Sequence, residues 1–163
     1  MAGSVEQSVD RIAKALGRIP SGVAIVTTRA GNRRTGLLAS LIQQASLDPP
    51  MISVAVKKGR PIEKLLDEAG TFVVNLLGER HRDAMFKHFA AGFSLDQDAF
   101  VGMGAKDLPG GVVIDDRIAY LSATIHGKYD AGDHWLYVGK VTGADIAEIQ
   151  QPCVHLRKNG LSY

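Results

Sequence analysis

The segment from Ile118 to Thr142 reads IAYLSATIHGKYDAGDHWLYVGKVT and is the most informative part of the 163-residue chain. In its first half, two sets of residues alternate in the way that favours a β-strand with two different faces. The stretch from Asp130 to Asp133 is rich in turn residues, and His134 to Thr142 returns as a second strand-like run. Two long strands joined by a tight turn predict a β-hairpin.

Shorter β-branched runs precede this hairpin. Gly22 to Thr28 and Thr35 to Ile42 flank a turn and predict another hairpin, while Met51 to Val56 and Thr71 to Leu77 predict two further strands. Ala90 to Gly111 is punctuated by glycines and is expected to be irregular. Strands outnumber helices and do not alternate regularly with them, unlike the pattern of doubly wound folds. The sequence therefore predicts a mainly β fold, an antiparallel barrel with a few peripheral helices.

Three short helices are expected around the barrel. An amphipathic helix ends at Leu16, and Gly17 is predicted to cap it in a left-handed conformation. A second helix begins at Pro61, which suits a first helical turn, and ends before Gly70. Residues His81 to Phe89 predict the third.

The bulk composition excludes several classes of protein. The chain carries 19 basic and 17 acidic residues, largely interspersed, and its net charge is only +2. A general nucleic-acid binder would need a concentrated basic face, so no nucleic-acid partner is predicted. No apolar run reaches the roughly 20 residues of a membrane span, and the N-terminal residues lack the pattern of a signal peptide. We therefore expect one domain over residues 1–163, located in the cytoplasm and not bound to a membrane.

Motifs that would point to other chemistry are missing from the sequence. Gly102-Met103-Gly104 is followed by Asp107 where a dinucleotide fingerprint needs a further glycine. The single cysteine, Cys153, excludes a disulfide framework and a multi-cysteine metal site. The five histidines lie on different predicted elements, except for a pair spaced seven apart, and none has an HExxH context. No metal site is predicted.

Three segments could bind a ligand, and each has a structural alternative. Small residues from Leu38 to Leu41 would let a flat ligand approach the backbone, or they simply pack tightly. Lys57-Lys58-Gly59-Arg60-Pro61 places three cations before a helix, which suits an anion, or it is a solvated basic turn. In the segment from Asp130 to Trp135, a tight turn accounts for the aspartates and the glycine. A turn does not require the histidine followed by tryptophan.

At these segments the sequence resembles the flavin reductase-like family, whose members bind FMN or FAD in a split β-barrel. Ala15 to Val23 resembles the opening helix and first strand of the family. Ala39-Ser40 with Ala45 to Pro50 resembles its strand and its Ser-x-Asp-Pro-Pro turn, and Asp130 to His134 resembles its Gly-Asp-His motif. The likeness is collinear from Val9 to Tyr163. Within the family, the chain is most similar to the reductase module of diflavin diiron proteins and to flavoredoxin-like proteins.

The resemblance implies a split antiparallel β-barrel of Greek-key type and a set of site residues. His134 would face the flavin ring where a nicotinamide stacks. The remaining residues would line the ring, hold the phosphate or form the second wall of the flavin site, and they are Leu38, Ala39, Ser40, Leu41, Ser46, Lys57, Lys58, Arg60, His88, Phe89, Phe93 and Tyr163.

The resemblance also implies an activity, which is reduction of FMN or FAD by NADH or NADPH through direct hydride transfer. Because the cofactors carry the difficult chemistry, no nucleophile or metal is required. A homodimer is expected, and a redox protein could accept the electrons. The alternative is a non-catalytic flavoprotein that carries electrons or only binds flavin.

Overall fold

The computed structural model describes the backbone of residues 2–161 and the side chains of residues 7–161. Tyr163, one of the predicted site residues, lies outside the described residues. The eleven strands are β1 Ser21–Gly22, β2 Ala24–Ala30, β3 Arg33–Ala39, β4 Ile42–Leu47, β5 Pro50–Lys57, β6 Thr71–Leu76, β7 Ala105–Leu108, β8 Gly111–Ile114, β9 Ala119–Ala131, β10 His134–Ile146 and β11 Val154–His155. The helices are α1 Ala2–Leu16, α2 Pro61–Ala69, α3 Arg82–Phe89 and a short 3₁₀ turn, Glu79–His81.

Seven of the strands form one antiparallel sheet in the order β3-β2-β6-β9-β10-β5-β4. Strands β3 and β4 stand at opposite ends of this order, yet Ser40 and Leu41 alone separate them along the chain. Such a short link requires the sheet to curl until its two edges meet. The Ala55 N–H donates to the Leu41 carbonyl at 2.9 Å and ties this link to β5. The predicted mainly β, split antiparallel barrel is confirmed.

The predicted C-terminal hairpin is formed by β9 and β10, which pair from Ala131 and His134 outward. Its turn consists of Gly132 and Asp133, and Gly132 has a φ of 77°. A glycine at the first central position is typical of the II′ turn that matches the twist of paired strands. The Gly132 N–H donates to Oδ1 of Asp130 at 3.0 Å, which completes the turn.

Alternating side chains of the barrel strands supply two apolar clusters. Val26 of β2 packs inside the barrel with Val54, Phe72 and others, while its neighbour Ile25 points to the outer cluster. This outer cluster lies under α3 and β8 and contains Phe89. The period of two along a strand explains why one strand serves both clusters.

Of the predicted ends of α1 and α2, one is confirmed and the other is wrong. Gly70 has a φ of 65° and its N–H donates to the Leu66 carbonyl, so the predicted end of α2 is confirmed. The predicted left-handed cap at Gly17 is wrong, because Gly17 does not have a positive φ. A Cβ atom at Gly17 would lie 2.5 Å from the Arg157 carbonyl oxygen, so glycine is required there by the close approach of the C-terminal segment.

The segment from Ala90 to Gly111 was expected to be irregular and is so only in part. It contains β7, which pairs with β8 as a separate two-stranded sheet. The sequence did not predict this strand, because the run Ala105-Lys106-Asp107-Leu108 is short and half polar. It is recognised as a strand by its pairing with β8.

Candidate functional site

A cavity of about 320 Å³ opens where the chain passes from β3 to β4. Strand β5, the start of α2, helix α3 and strand β11 complete its walls. Its lining residues are Val23, Leu37, Leu38, Ala39, Ser40, Ala55, Lys57, Arg60, Phe86, Phe89, Ala90 and His155. The volume lies within the range of cavities that hold cofactors and other small ligands.

The two long walls of this cavity differ in chemistry. On the barrel side Ala39, Ser40 and Ala55 have small side chains, so a flat ligand can approach the strand backbone there. On the opposite side α3 contributes the Phe86 and Phe89 rings. A slot between small strand residues and aromatic rings suits a planar, largely apolar ring system.

Two cations lie at the end of the cavity where α2 begins. Lys57 is the last residue of β5, and Arg60 is the N-cap residue of α2, with extended φ and ψ of −70° and 139°. Neither side chain forms an ion pair with another residue of the described part of the chain. The positive end of the α2 dipole adds to the attraction of these charges for an anion.

The structure brings together about half of the predicted site residues. Leu38, Ala39, Ser40, Lys57, Arg60 and Phe89 line the cavity. Phe93 lines a smaller neighbouring cavity of about 200 Å³, which shares Leu37 and Arg60 with the larger one. The predicted residues that border neither of these two cavities are Leu41, Ser46, Lys58, His88 and His134.

Lys58 has other partners. Its Nζ lies 2.8 Å from Oδ2 of Asp130 and 4.5 Å from the centre of the Trp135 ring. The bond from Lys58 lowers the pKa of the Asp130 carboxyl. Lys58 thus joins the end of β5 to the β9–β10 hairpin and is less available to a ligand than Lys57 or Arg60.

His88 supports the cavity wall from behind. Its Nε2 lies 2.7 Å from the Ala99 carbonyl oxygen, and its ring packs against Phe89 and Phe93 with centroids 4.7 and 5.2 Å apart. Leu41 contributes the carbonyl that binds the Ala55 N–H. Ser46 is paired with Met51 in the β4–β5 ladder.

The pairing of β10 with β5 places His134 beside the cavity. It pairs directly with Lys57 in the antiparallel β5–β10 ladder, and residues paired in this way project from the same face of a sheet. The imidazole is buried, and its Nδ1 lies 2.7 Å from Oδ1 of Asp133. This hydrogen bond lowers the pKa of the Asp133 carboxyl. The His134 side chain therefore stands on the cavity side, held by its neighbour.

Six lining residues were not among the predicted site residues, and they are Val23, Leu37, Ala55, Phe86, Ala90 and His155. Phe86 could have been found, because it lies three residues before Phe89 on the same helix face. His155 could not, since it reaches the cavity through the pairing of β11 with β1, whose residue Ser21 is far away in the sequence.

Two other kinds of feature are absent from the described residues. No helix among them is long and apolar enough to cross a bilayer. Within the same residues, no group of three or more histidine, cysteine, aspartate or glutamate side chains could hold a metal ion.

A family model and several known proteins are similar to this chain, and they agree with one another. Residues 16–160 match the family model described as "Flavin reductase like domain". Over 152 residues, which are 92% of this chain, the sequence is 36% identical to Diflavin flavoprotein A 1 of Synechocystis sp.. It spans only 26% of that relative's length, so it is similar to one part of a larger protein.

Solved structures show the same architecture. Nitrilotriacetate monooxygenase component B from Mycobacterium thermoresistibile superposes with a TM-score of 0.80 at 27% identity, over 96% of this chain and 86% of that one. An NADH:FAD oxidoreductase from Streptomyces globisporus superposes with a TM-score of 0.79 at 27% identity, over 90% and 86% of the two chains. With the family model matched over most of its length, the chain belongs to the flavin reductase like domain family.

Proposed function

We propose that this chain is an NAD(P)H:flavin oxidoreductase that reduces bound FMN or FAD by direct hydride transfer and passes the electrons to an acceptor. The observation that carries the proposal is the cavity, which is lined by small strand residues, by aromatic rings and by the cations Lys57 and Arg60. Family membership supports it, as does the likeness to a Streptomyces protein named as an NADH:FAD oxidoreductase.

A flavin in the cavity would meet different groups at its ring and at its phosphate. Ala39 and Ser40 would lie against one face of the ring system and offer backbone groups to its polar edge, while Phe89 lies on the other side. Lys57 and Arg60 would hold the phosphate, helped by the positive end of the α2 dipole. These contacts would fix both ends of an elongated, amphiphilic ligand.

The protein then has three tasks in the reaction. When bound, the flavin would supply a hydride acceptor for the nicotinamide. The apolar walls formed by Leu38 and Phe89 exclude water from the ring. His134 would orient the nicotinamide, since it stands on the cavity side next to Lys57.

The experiment that tests the proposed function is anaerobic titration of the purified, flavin-loaded chain with NADH and with NADPH. Loss of the flavin absorbance at a stoichiometric amount of either nicotinamide is expected. A yellow protein that neither nicotinamide bleaches would support the electron carrier instead. A chain that binds no flavin would remove both functions.

We predict that His134→Ala raises the apparent KM for the nicotinamide or slows hydride transfer by a few-fold to roughly tenfold. One lost hydrogen bond in the complex with the reductant accounts for an effect of this size. Anaerobic stopped-flow reduction at several nicotinamide concentrations separates binding from transfer. His126→Ala, at an exposed position of β9, is the matched control and should leave both unchanged. Unaltered kinetics with a lower melting temperature would make His134 structural.

We also predict a homodimer, because α1 and the C-terminal segment, which are hydrogen-bonded to each other, both expose apolar side chains. Val9 and Ile12 of α1 are 48% and 52% exposed, and Leu156 is 62% exposed. The C-terminal segment is tied to α1 by a 2.8 Å bond from the Gly160 N–H to the Ala13 carbonyl, so these residues share a region. Burial against a second copy would remove this apolar surface from water. Light scattering should give twice the chain mass, and a stable flavin-loaded monomer would contradict the prediction.

A further inference from the structure

The turn that carries Lys57 and Arg60 is held in shape by a glutamate outside the cavity. The turn joins the end of β5 to the start of α2, and Gly59 within it has a φ of 81°. The Gly59 N–H donates to Oε2 of Glu63 at 2.9 Å. Glu63 is the third residue of α2, so its carboxylate reaches back past the start of the helix. Glu63 therefore fixes the backbone between the two cations.

Glu63 is itself held by a lysine of the long hairpin. The Nζ atom of Lys128, in β9, lies 3.2 Å from Oε1 of Glu63 and 2.7 Å from Oδ2 of Asp67. The hydroxyl of Tyr137, a buried residue of β10, donates to Oδ1 of Asp67 at 3.0 Å. Because Glu63 and Asp67 are four residues apart, they lie on the same face of α2. Lys128 thus fastens the first turns of α2 to the hairpin.

The ammonium of Lys128 is a positive charge in a fixed position. Its side chain is only 25% exposed, and Nζ lies 4.5 Å from the centre of the Trp135 ring, within the range of a cation–π contact. Burial alone would lower the pKa of this ammonium, but its hydrogen bonds to Asp67 and its other partners outweigh burial and raise the pKa above its ordinary value. Lys128 therefore stays charged at neutral pH.

The charge of Lys128 also matters for an anion at the turn. Glu63 and Asp67 place two carboxylates on the first turns of α2, close to the cations Lys57 and Arg60. Charges that are closer than about 10 Å are only partly screened by salt, so both carboxylates would repel a phosphate there. The bonds from Lys128 to both carboxylates offset part of this repulsion.

We propose that Lys128 and Glu63 are positioning residues for the phosphate end of the flavin site. Lys128 holds and neutralises Glu63, and Glu63 holds the turn in the shape that directs Lys57 and Arg60 at the phosphate. This inference rests on the proposed function, because it concerns one end of the same site. Neither Lys128 nor Glu63 lines either cavity, so both would act through the turn without touching the flavin.

The test is fluorescence titration of FMN and of riboflavin with the full chain and its variants, without nicotinamide. Lys128→Met removes the charge and keeps a side chain of similar length. It should weaken FMN binding by about three- to tenfold, because the bonds to the phosphate depend on the turn and its charge. Riboflavin has no phosphate, so its affinity should stay within about twofold. Lys128→Arg can bond to both carboxylates and should keep most of the FMN affinity.

Two variants of Glu63 separate the shape of the turn from its charge. Glu63→Gln removes the negative charge but keeps an oxygen that can accept the Gly59 N–H, so FMN affinity should not fall. Glu63→Ala removes the same charge together with the acceptor, and it should weaken FMN by about three- to tenfold. If Glu63 acted only as a charge, Glu63→Ala would strengthen FMN binding, and this result would overturn the inference.

Lys140→Met is the matched control for Lys128→Met, because Lys140 is an exposed lysine of β10 that lines neither cavity. It should leave both affinities unchanged. Equal losses of FMN and riboflavin affinity in Lys128→Met would mean that Lys128 acts on the ring site or on folding, and the inference would be wrong. Unchanged FMN affinity would also contradict it. Because the titrations contain no nicotinamide, they can fail while the proposed hydride transfer still holds.

Discussion

Replacing Arg60 with alanine is expected to weaken FMN binding by about one to two orders of magnitude. Charge-assisted hydrogen bonds to phosphate contribute about 1.5–3 kcal/mol, and ~1.4 kcal/mol corresponds to a factor of ten. The Arg60 guanidinium lines the cavity and forms no ion pair within the described residues, so no internal partner competes for it. Its bonds to a phosphate would be lost without replacement in the alanine variant.

Riboflavin distinguishes a phosphate contact from a general effect on the site. It lacks the phosphate, so its affinity should change little in Arg60→Ala. Lys64→Ala is the matched control, because Lys64 is an exposed cation on α2 that borders neither cavity. It should leave both affinities unchanged. Equal losses for FMN and riboflavin in Arg60→Ala would show that Arg60 acts on the ring or on folding.

The elements that could be predicted from sequence are those specified by neighbouring residues. The β2–β3 hairpin was predicted because turn residues from Arg29 to Arg33 lie between two β-branched runs, and the structure has its turn at Gly31 and Asn32. Helix α2 was predicted because Pro61 and Gly70 mark its ends. Arg60 followed from the same local pattern, since an N-cap position is defined by the helix that starts after it.

The other features of the site depend on contacts between distant segments, which neighbouring residues in the sequence do not reveal. Lys57 and Lys58 are adjacent and look equivalent in the sequence, yet Lys57 faces the cavity and Lys58 pairs with Asp130. The alternation of side chains along β5 separates their directions, but the sequence does not say which face borders a cavity. His155 enters the site by a strand pairing that spans most of the chain. Such long-range pairings depend on the whole fold.

Loss of the Asn75 side chain is expected to destabilise the fold strongly. It is fully buried in β6, and its amide joins three segments. Nδ2 donates to the carbonyls of Ile25 at 3.2 Å and Val112 at 3.0 Å, and Oδ1 accepts the Ile114 N–H at 3.0 Å. Strand β8 is thereby fastened to the barrel where the outer apolar cluster lies.

Asn75→Ala should lower the free energy of unfolding by about 3 kcal/mol. The Ile114 N–H would lose its amide partner inside the protein, which costs about 1–3 kcal/mol, and the removed side chain would leave a cavity that adds to this. Thr27 would still donate to the Val112 carbonyl at 2.6 Å, so β8 keeps one attachment and the chain should fold. For a chain of this size, the melting temperature should fall by about 6–12 °C.

Urea unfolding of Asn75→Ala, followed by circular dichroism, measures this loss as a lower midpoint with an unchanged slope. Asn32→Ala is the matched control, since Asn32 is exposed in the β2–β3 turn, and it should change stability by less than about 0.5 kcal/mol. Hydrogen exchange should show the amides of β8 opening before those of β9 and β10, because Asn75 fastens β8 but neither of the long strands. A loss below about 1 kcal/mol would mean that water enters and replaces the amide. Uniform exchange across the sheet would mean that β8 is held by its apolar side chains instead.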